Sequence, residues 1–560
     1  MDRDLVSNWT HRKIILILLG VSFIFLMFGN GALSLTHPDE VFYAQIAKEM
    51  IHHHSWMTPY IFDEPNFEKP IFFYWLMVAV IRLFGLSAFV ARFWPACFGI
   101  LGVILTYWMA FLLFKDKRTG FYSGMILASS FIYIALSRAI LTDMVFSIWV
   151  VLALACFYWG YSDRKYKSLG IFLCFVVSGV AVLTKGILGF IFPFGIIFLF
   201  LLWKKELSFL KAKATALGVL ALLAIVVPWH VLMVKLYGNT FFQEYWHNVH
   251  VRRIFDAEHQ KSNTWYFYPL TMFTGVFPWS LFLVPAGWFV VKKVKQISAE
   301  RDQFIFLFIW IIFVWMSMQV AASKLSSYVF PVFPALAILL GYYFAQLMKN
   351  KDDPFLAKSA KITQFIIVFI CLVGGIAAIL FSKQYPIIFR NMFPIYLFSL
   401  LLLACGVGLF ILTRKSKYLQ ATGCIFSVAI IFLMSAFFGI PDTEPWVSCK
   451  QICDVFKTID QSETTVLCSK FFVRGVRYYT DRDVAVMDSG EGFFSPHPVP
   501  YLNNDDKVRA FLDRQPFTYA IVKESNVKDL ERICQNSGYE LTHFWDIGGK
   551  YIVKVEKKAK

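Results

Sequence analysis

The chain reads as an all-α polytopic membrane protein of about thirteen transmembrane helices, with a small α/β domain outside the membrane at its carboxyl end. Three observations carry that reading. The 560 residues are 58% hydrophobic and only 16% charged, against roughly 45–50% apolar and about 25% charged in a soluble globular chain. The apolar residues come in blocks of about 16–25, the length that crosses a bilayer core. Lysine and arginine sit in short loops between those blocks, as the positive-inside rule requires.

The basic loops fix the topology. They are 115–118, 163–167, 203–213, 292–296, 349–353 and 414–417, and the amino terminus "MDRDLVSNWTHRK" belongs with them on the cytoplasmic side. The chain must cross twice between neighbours. The spans then fall near 14–34, 88–114, 120–138, 142–161, 168–183, 187–203, 212–236, 266–290, 303–321, 326–347, 362–382, 393–413 and 420–439. The count is odd, so the carboxyl end lies outside. The first apolar run is too long for a secretory leader and no small-residue cleavage site follows it, so it stays as a signal anchor. One apolar stretch, 71–85, must not cross, because crossing would invert every later basic loop. About 15 residues is also short for a span, and the stretch reads as an interfacial or re-entrant helix.

Residues 1–440 form the membrane domain, with external loops at 35–87 and 237–265, and residues 441–560 form the external domain. Charge density returns to normal after 440. Short β-like runs ("TTVLCS", "YAIVKE", "KYIVKVE") alternate there with helix-like pieces ("KVRAFLDRQ", "NVKDLERICQNS") over about 120 residues, enough to bury a core. The net charge of +17 sets topology and calls for no nucleic acid. Of the ten cysteines, six lie in apolar spans as small hydrophobes. Cys449, Cys453, Cys468 and Cys534 lie in the tail, where an oxidising space would allow disulfides.

Reactive side chains collect on the external side. "THPDEVFYAQIAKEM" leaves the first span and at once presents Asp39 and Glu40. An acid pair beside a bilayer is costly unless solvated, paired or used. Glu68 and Lys69 follow in the same loop, Arg138 and Asp143 at the next outward turn ("SRAILTDM"), and Lys185 at the one after ("LTKG"). The loop "YWHNVHVRRIFDAEHQKSNTWY" offers His247, His250, Arg253 and His259, and "ASKLSSYVFP" adds Lys324 and Tyr328. Each has a plainer reading. Asp143 is a helix cap, Arg138 and Lys185 are snorkelling anchors, Glu68–Lys69 is a solvated pair, and "HHH" at 52–54 is a polar interfacial stretch. Their convergence on one face argues for a site.

The order of these motifs resembles the GT-C superfamily of lipid-linked sugar transferases, in the branch shared by protein O-mannosyltransferases and bacterial aminoarabinose lipid A transferases. "HPDEVFYAQIAKEM" matches the family's acidic motif after the first span. "SRAILTDM" and "LTKG" match two later motifs, and "FEKPIFFYW" and "KLSSYVFP" resemble aminoarabinose transferase segments. The resemblance covers about residues 10–340 and none of the tail. It implies the GT-C fold and a glycosyltransferase of the bacterial inner membrane, with its site and carboxyl-terminal domain in the periplasm. The donor it implies is a sugar, 4-amino-4-deoxy-L-arabinose or a relative, on a polyprenyl phosphate, and the acceptor is lipid A or another envelope molecule. By this likeness Asp39, Glu40 and Asp143 are catalytic, Lys69, Arg253 and Tyr328 bind the donor phosphate with Lys324 a nearby candidate, and Arg138 and Lys185 are further site residues. Glu68, His250 and His259 would hold a divalent ion, zinc or magnesium. Two alternatives stay open, a protein O-mannosyltransferase acting on Ser/Thr and a lipid-linked sugar flippase.

Overall fold

The structure is a computed structural model that describes residues 5–256, 262–296, 299–350, 352–384, 391–487, 498–535 and 537–558. The chain divides into two compact units. The first comprises Met1–Asn30, Phe67–Phe73 and Arg92–Phe438; the second comprises Gly31–Asn66, Tyr74–Ala91 and Gly439–Lys560.

The first unit is helical. Each of the thirteen predicted spans meets an apolar helix or a bent helix pair. Nine helices among the described residues are long and apolar enough to cross a bilayer, and two bent pairs raise this to eleven. Lys117–Ala128 with Phe131–Ser137 bends by 64°, and Phe267–Gly275 with Ser280–Lys295 by 113°. Leu188–Trp203 is shorter, at 16 residues. The first span is an α-helix, His11–Ser22, continued by a π-turn, Phe23–Met27.

Three boundaries differ from the sequence reading. The first span stops at Met27, not at 34, because "GNG" follows and Gly29 takes φ +72°. A Cβ on Gly29 would lie 3.0 Å from the Phe437 ring, so only glycine turns the chain there. The second span starts at Phe93, not at 88, because buried Arg92 breaks the apolar run and donates to the Asn30 carbonyl at 2.8 Å. The loop expected at 237–265 is helical in its first half. Helix Lys213–Phe241, kinked at Gly238, runs into a π-turn, Phe242–Arg252, and a short helix, Arg253–Phe255.

The second unit carries a six-stranded sheet. Its parallel part runs Tyr501–Leu502, Val484–Met487, Val466–Ser469, Phe517–Lys523, and Lys550–Lys557 and Tyr539–Ile547 extend it antiparallel. The β-like runs read from the sequence are strands here, and the two helix-like pieces are Asp505–Leu512 and Glu524–Gln535. Leu467, Ala485, Val522, Leu530, Ile533 and Val553 form its core. The tail cysteines are buried free thiols. Residues 71–85 give helix Phe72–Phe84, about 20 Å long at 1.5 Å per residue and too short to span.

Candidate active site

In the first unit, helix Thr142–Ser162 and the helix ending at Lys185 form a close hairpin. Small residues allow the approach at one end, where a Cβ on Gly170 would lie 2.6 Å from the Cys156 carbonyl oxygen and 2.9 Å from Gly160 Cα. At the other end Lys185 Nζ meets Asp143 Oδ1 at 2.5 Å, with side chains 9% and 7% exposed. The ammonium also stands 5.0 Å from the centre of the Tyr328 ring and 5.5 Å from that of Phe146. The structure thus joins three residues singled out separately, Asp143, Lys185 and Tyr328.

Tyr328 belongs to a 3-10 turn, Ser326–Val332, that follows Lys324. Lys324 is 2% exposed and donates to Asn263 Oδ1 at 2.7 Å and to the Ala321 carbonyl at 2.6 Å. Neither partner is an anion, and burial lowers the lysine's pKa. The backbone bearing Arg253 reaches the segment just before Lys324, since the Ala322 amide donates to the Ile254 carbonyl at 3.0 Å. The side chains of His250 and Arg253, and the whole of His259, lie outside the described residues. An apolar groove of about 600 Å³, lined by Leu199, Trp203, Ile309, Phe313, Met316 and Val320, runs along the helix that precedes this turn in the chain. From residue 305 to residue 320 it follows one helix for about 22 Å at 1.5 Å per residue.

"FEKP" is anchored by its first residue. Phe67 is 1% exposed and packs on Tyr237 and Phe241 at 5.1 and 5.2 Å. The half-buried side chains of Glu68 and Lys69 follow, and Glu68 lies in the field of Glu244, which takes a hydrogen bond from the Phe67 amide. Sequence reasoning passed over Glu244, although an acid inside the aromatic run "FFQEYWHN" is the same signal that marked Asp39. Asn263 carries no such signal; only its neighbour in space reveals it. Arg138 serves the fold: its Nη1 donates to the carbonyls of Phe28 and Phe25 at 2.9 and 3.1 Å, groups that a helix end leaves without partners.

Asp39 and Glu40 open helix Asp39–His52 in the second unit, where the helix dipole favours negative charge. Their environments separate them. Glu40 is 4% exposed and takes hydrogen bonds from the Thr36 amide and hydroxyl at 3.0 and 2.9 Å. Asp39 is exposed. The carboxyl-terminal segment holds this stretch of chain. The Ser34 amide donates to Glu444 at 3.1 Å, the His37 amide to the Val447 carbonyl at 3.1 Å, and the Tyr479 hydroxyl to the Leu35 carbonyl at 3.0 Å. Arg474 stacks 4.3 Å over Phe42, Arg477 pairs with Asp63 at 2.7 Å, and Lys48 pairs with Asp481. Burial and the Lys550 cation push the His37 pKa down to about 4. Among the described residues, one group of His and carboxylate donors, Glu49, His53 and Asp63, lies within 4.8 Å of one another. Its oxygens already take the Phe62 and Asp63 amides, the Gln45 side chain and Arg477, so it reads as a turn clasp.

Comparison with known proteins agrees with this geometry. The family described as dolichyl-phosphate-mannose-protein mannosyltransferase matches residues 14–247. An uncharacterized protein of Aquifex aeolicus is 27% identical over 90% of this chain and 96% of its own length. The undecaprenyl phosphate-alpha-4-amino-4-deoxy-L-arabinose arabinosyl transferase of Photorhabdus laumondii is 28% identical over 63% of this chain, and the match spans 62% of that relative. The crystal structure of ArnT from Cupriavidus metallidurans bound to undecaprenyl phosphate superposes with a TM-score of 0.74 at 19% identity, covering 97% of this chain and 98% of that one. The chain is thus similar in sequence to polyprenyl-phosphate-sugar glycosyltransferases over part of its length, and it has the GT-C fold seen in the ArnT structure.

Proposed function

We propose that this protein transfers 4-amino-4-deoxy-L-arabinose, or a closely related sugar, from undecaprenyl phosphate to lipid A at the periplasmic face of the bacterial inner membrane. The observation that carries the reading is an apolar groove whose lining runs up to Val320, followed in the chain by the buried Lys324, which has no anionic partner among the described residues. A long isoprenoid ending in a phosphate is the molecule whose two parts match those two surfaces. Burial makes Lys324 favour an anion, and Lys69 and Arg253 add the positive charge that such a phosphate needs.

In the transfer the bond from the anomeric carbon to the phosphate oxygen breaks, and its electron pair stays on the phosphate. An acceptor oxygen forms the new bond to the same carbon. Preorganised donors stabilise the charge that develops on the leaving phosphate. A lipid A phosphate attacks as an anion and needs no base, so Asp39 then orients the sugar through its cationic amine. A hydroxyl acceptor must lose a proton, and Asp39 then takes it. The match of residues 14–247 to the mannosyltransferase family keeps this second reading, with a Ser/Thr hydroxyl as acceptor. A divalent ion remains part of the proposal. Glu68, already in the field of Glu244, would supply a carboxylate ligand alongside His250 and His259, and the ion would add positive charge near the donor phosphate.

Mass spectrometry of lipid A and of glycoproteins from cells with and without the protein tests the reading. An aminoarabinose mass lost from lipid A on deletion is the expected result. Loss of hexose from proteins would select the second acceptor, and no change in either would overturn both.

A further inference from the structure

Tyr268, at the start of helix Phe267–Gly275, is completely buried, and its hydroxyl has no hydrogen-bond partner among the described residues. Its oxygen lies beside the Leu325 amide and in the field of Tyr328. Ser323, 1% exposed, also has a buried hydroxyl without a partner among the described residues. Lys324 follows it in the chain and meets no carboxylate among the described residues. The segment from Ser323 to Tyr328 is thus rich in donors and short of acceptors among the described residues. A phenylalanine would fill the place of Tyr268 without stranding a polar group. The oxygen can accept from the Leu325 amide, but the hydroxyl proton has no acceptor among the described residues and bears the cost of an unmade hydrogen bond.

We infer that Tyr268 donates a hydrogen bond to a phosphate oxygen of the polyprenyl-phosphate donor. The inference rests on the donor site proposed above. Breaking the sugar–phosphate bond turns a singly charged diester into a doubly charged monoester. The electron pair of the broken bond stays on that phosphate, so a neutral donor aimed at it binds more strongly as the sugar leaves. Tyr268 keeps its proton throughout.

The test compares purified full-length wild type and Tyr268→Phe, which keeps the ring and its packing. Undecaprenyl phosphate and undecaprenol are the two probes, read by affinity and by thermal unfolding in detergent. Tyr268→Phe should bind undecaprenyl phosphate roughly tenfold or more weakly, as for a lost hydrogen bond to a charged group, and undecaprenol unchanged. Without lipid the variant should be as stable as wild type or more so, because an orphan hydroxyl has been removed. Equal affinity of the two proteins for undecaprenyl phosphate would overturn the inference alone. A loss of stability without lipid would also overturn it, by showing that the hydroxyl has a structural partner. Failure of wild type to bind undecaprenyl phosphate above undecaprenol would remove the donor site itself.

Discussion

In the first unit Asp143 and Lys185 face each other with 7% and 9% of their side chains exposed. In the second, Lys48 and Asp481 are 32% and 67% exposed, and Arg477 and Asp63 are 14% and 52% exposed. The residue types are the same and the energetics are opposite. Water screens the second set, so each pair contributes little and the Asp39 stretch is held by the sum of many contacts. The first pair has surrendered its hydration, and its Coulomb attraction must offset that loss. Removing one member leaves a charge stranded in low dielectric. The difference teaches where single substitutions are decisive: on the helices of the first unit, and far less on the clasp of the second.

Four experiments probe that contrast, in falling order of expected effect. Lys185→Ala or Asp143→Asn should cost about 3–5 kcal/mol in detergent unfolding, the cost of breaking a buried pair. Replacing both by apolar residues of similar volume should recover most of that stability but not sugar transfer, which separates holding the fold from serving the site. Lys324→Ala should weaken undecaprenyl phosphate binding by about 1.5–3 kcal/mol, with unfolding in the absence of lipid little changed or improved. Next comes pH. His37 has a folded pKa of about 4, below its ordinary value near 6.5, so its neutral form favours the folded state. The stability it contributes is complete above about pH 6.5 and lost as the pH falls toward 4. The loss should be on the order of 2 kcal/mol after solvent screening, and His37→Gln should flatten that part of the profile. The smallest effects belong to Lys48→Ala and Arg477→Ala, about 0–1 kcal/mol each. If either of these proved as costly as Lys185→Ala, the contrast between the units would be lost.

The helices of the first unit were legible because span length and basic loops follow from the bilayer itself. The turns of the chain were less so. Stopping the first span at Met27 needed the close approach of Phe437 to Gly29, a contact between residues four hundred positions apart in the chain. The strands of the second unit showed in their β-branched runs, whereas the grip of Glu444, Arg474, Arg477 and Tyr479 on residues 34–63 did not. Those contacts join segments about 400 residues apart, and no local pattern marks them. Among the candidate residues, Asp39, Asp143, Lys185 and Tyr328 stood out as charged or aromatic residues at membrane exits. Asn263, Tyr268 and Ser323 did not, because each matters through a buried neighbour or an unmade hydrogen bond.

Sugar transfer by purified protein tests the central claim most directly. Undecaprenyl phosphate-linked aminoarabinose and lipid A would be supplied together, and the mass of lipid A followed with wild type and with Asp39→Asn. Wild type should add the aminoarabinose mass. Asp39→Asn should stay folded and bind the lipid donor, yet transfer far less, by roughly 10²–10⁴-fold if the lost function is a general base. No transfer by wild type, or transfer by Asp39→Asn at the wild-type rate, would contradict the account.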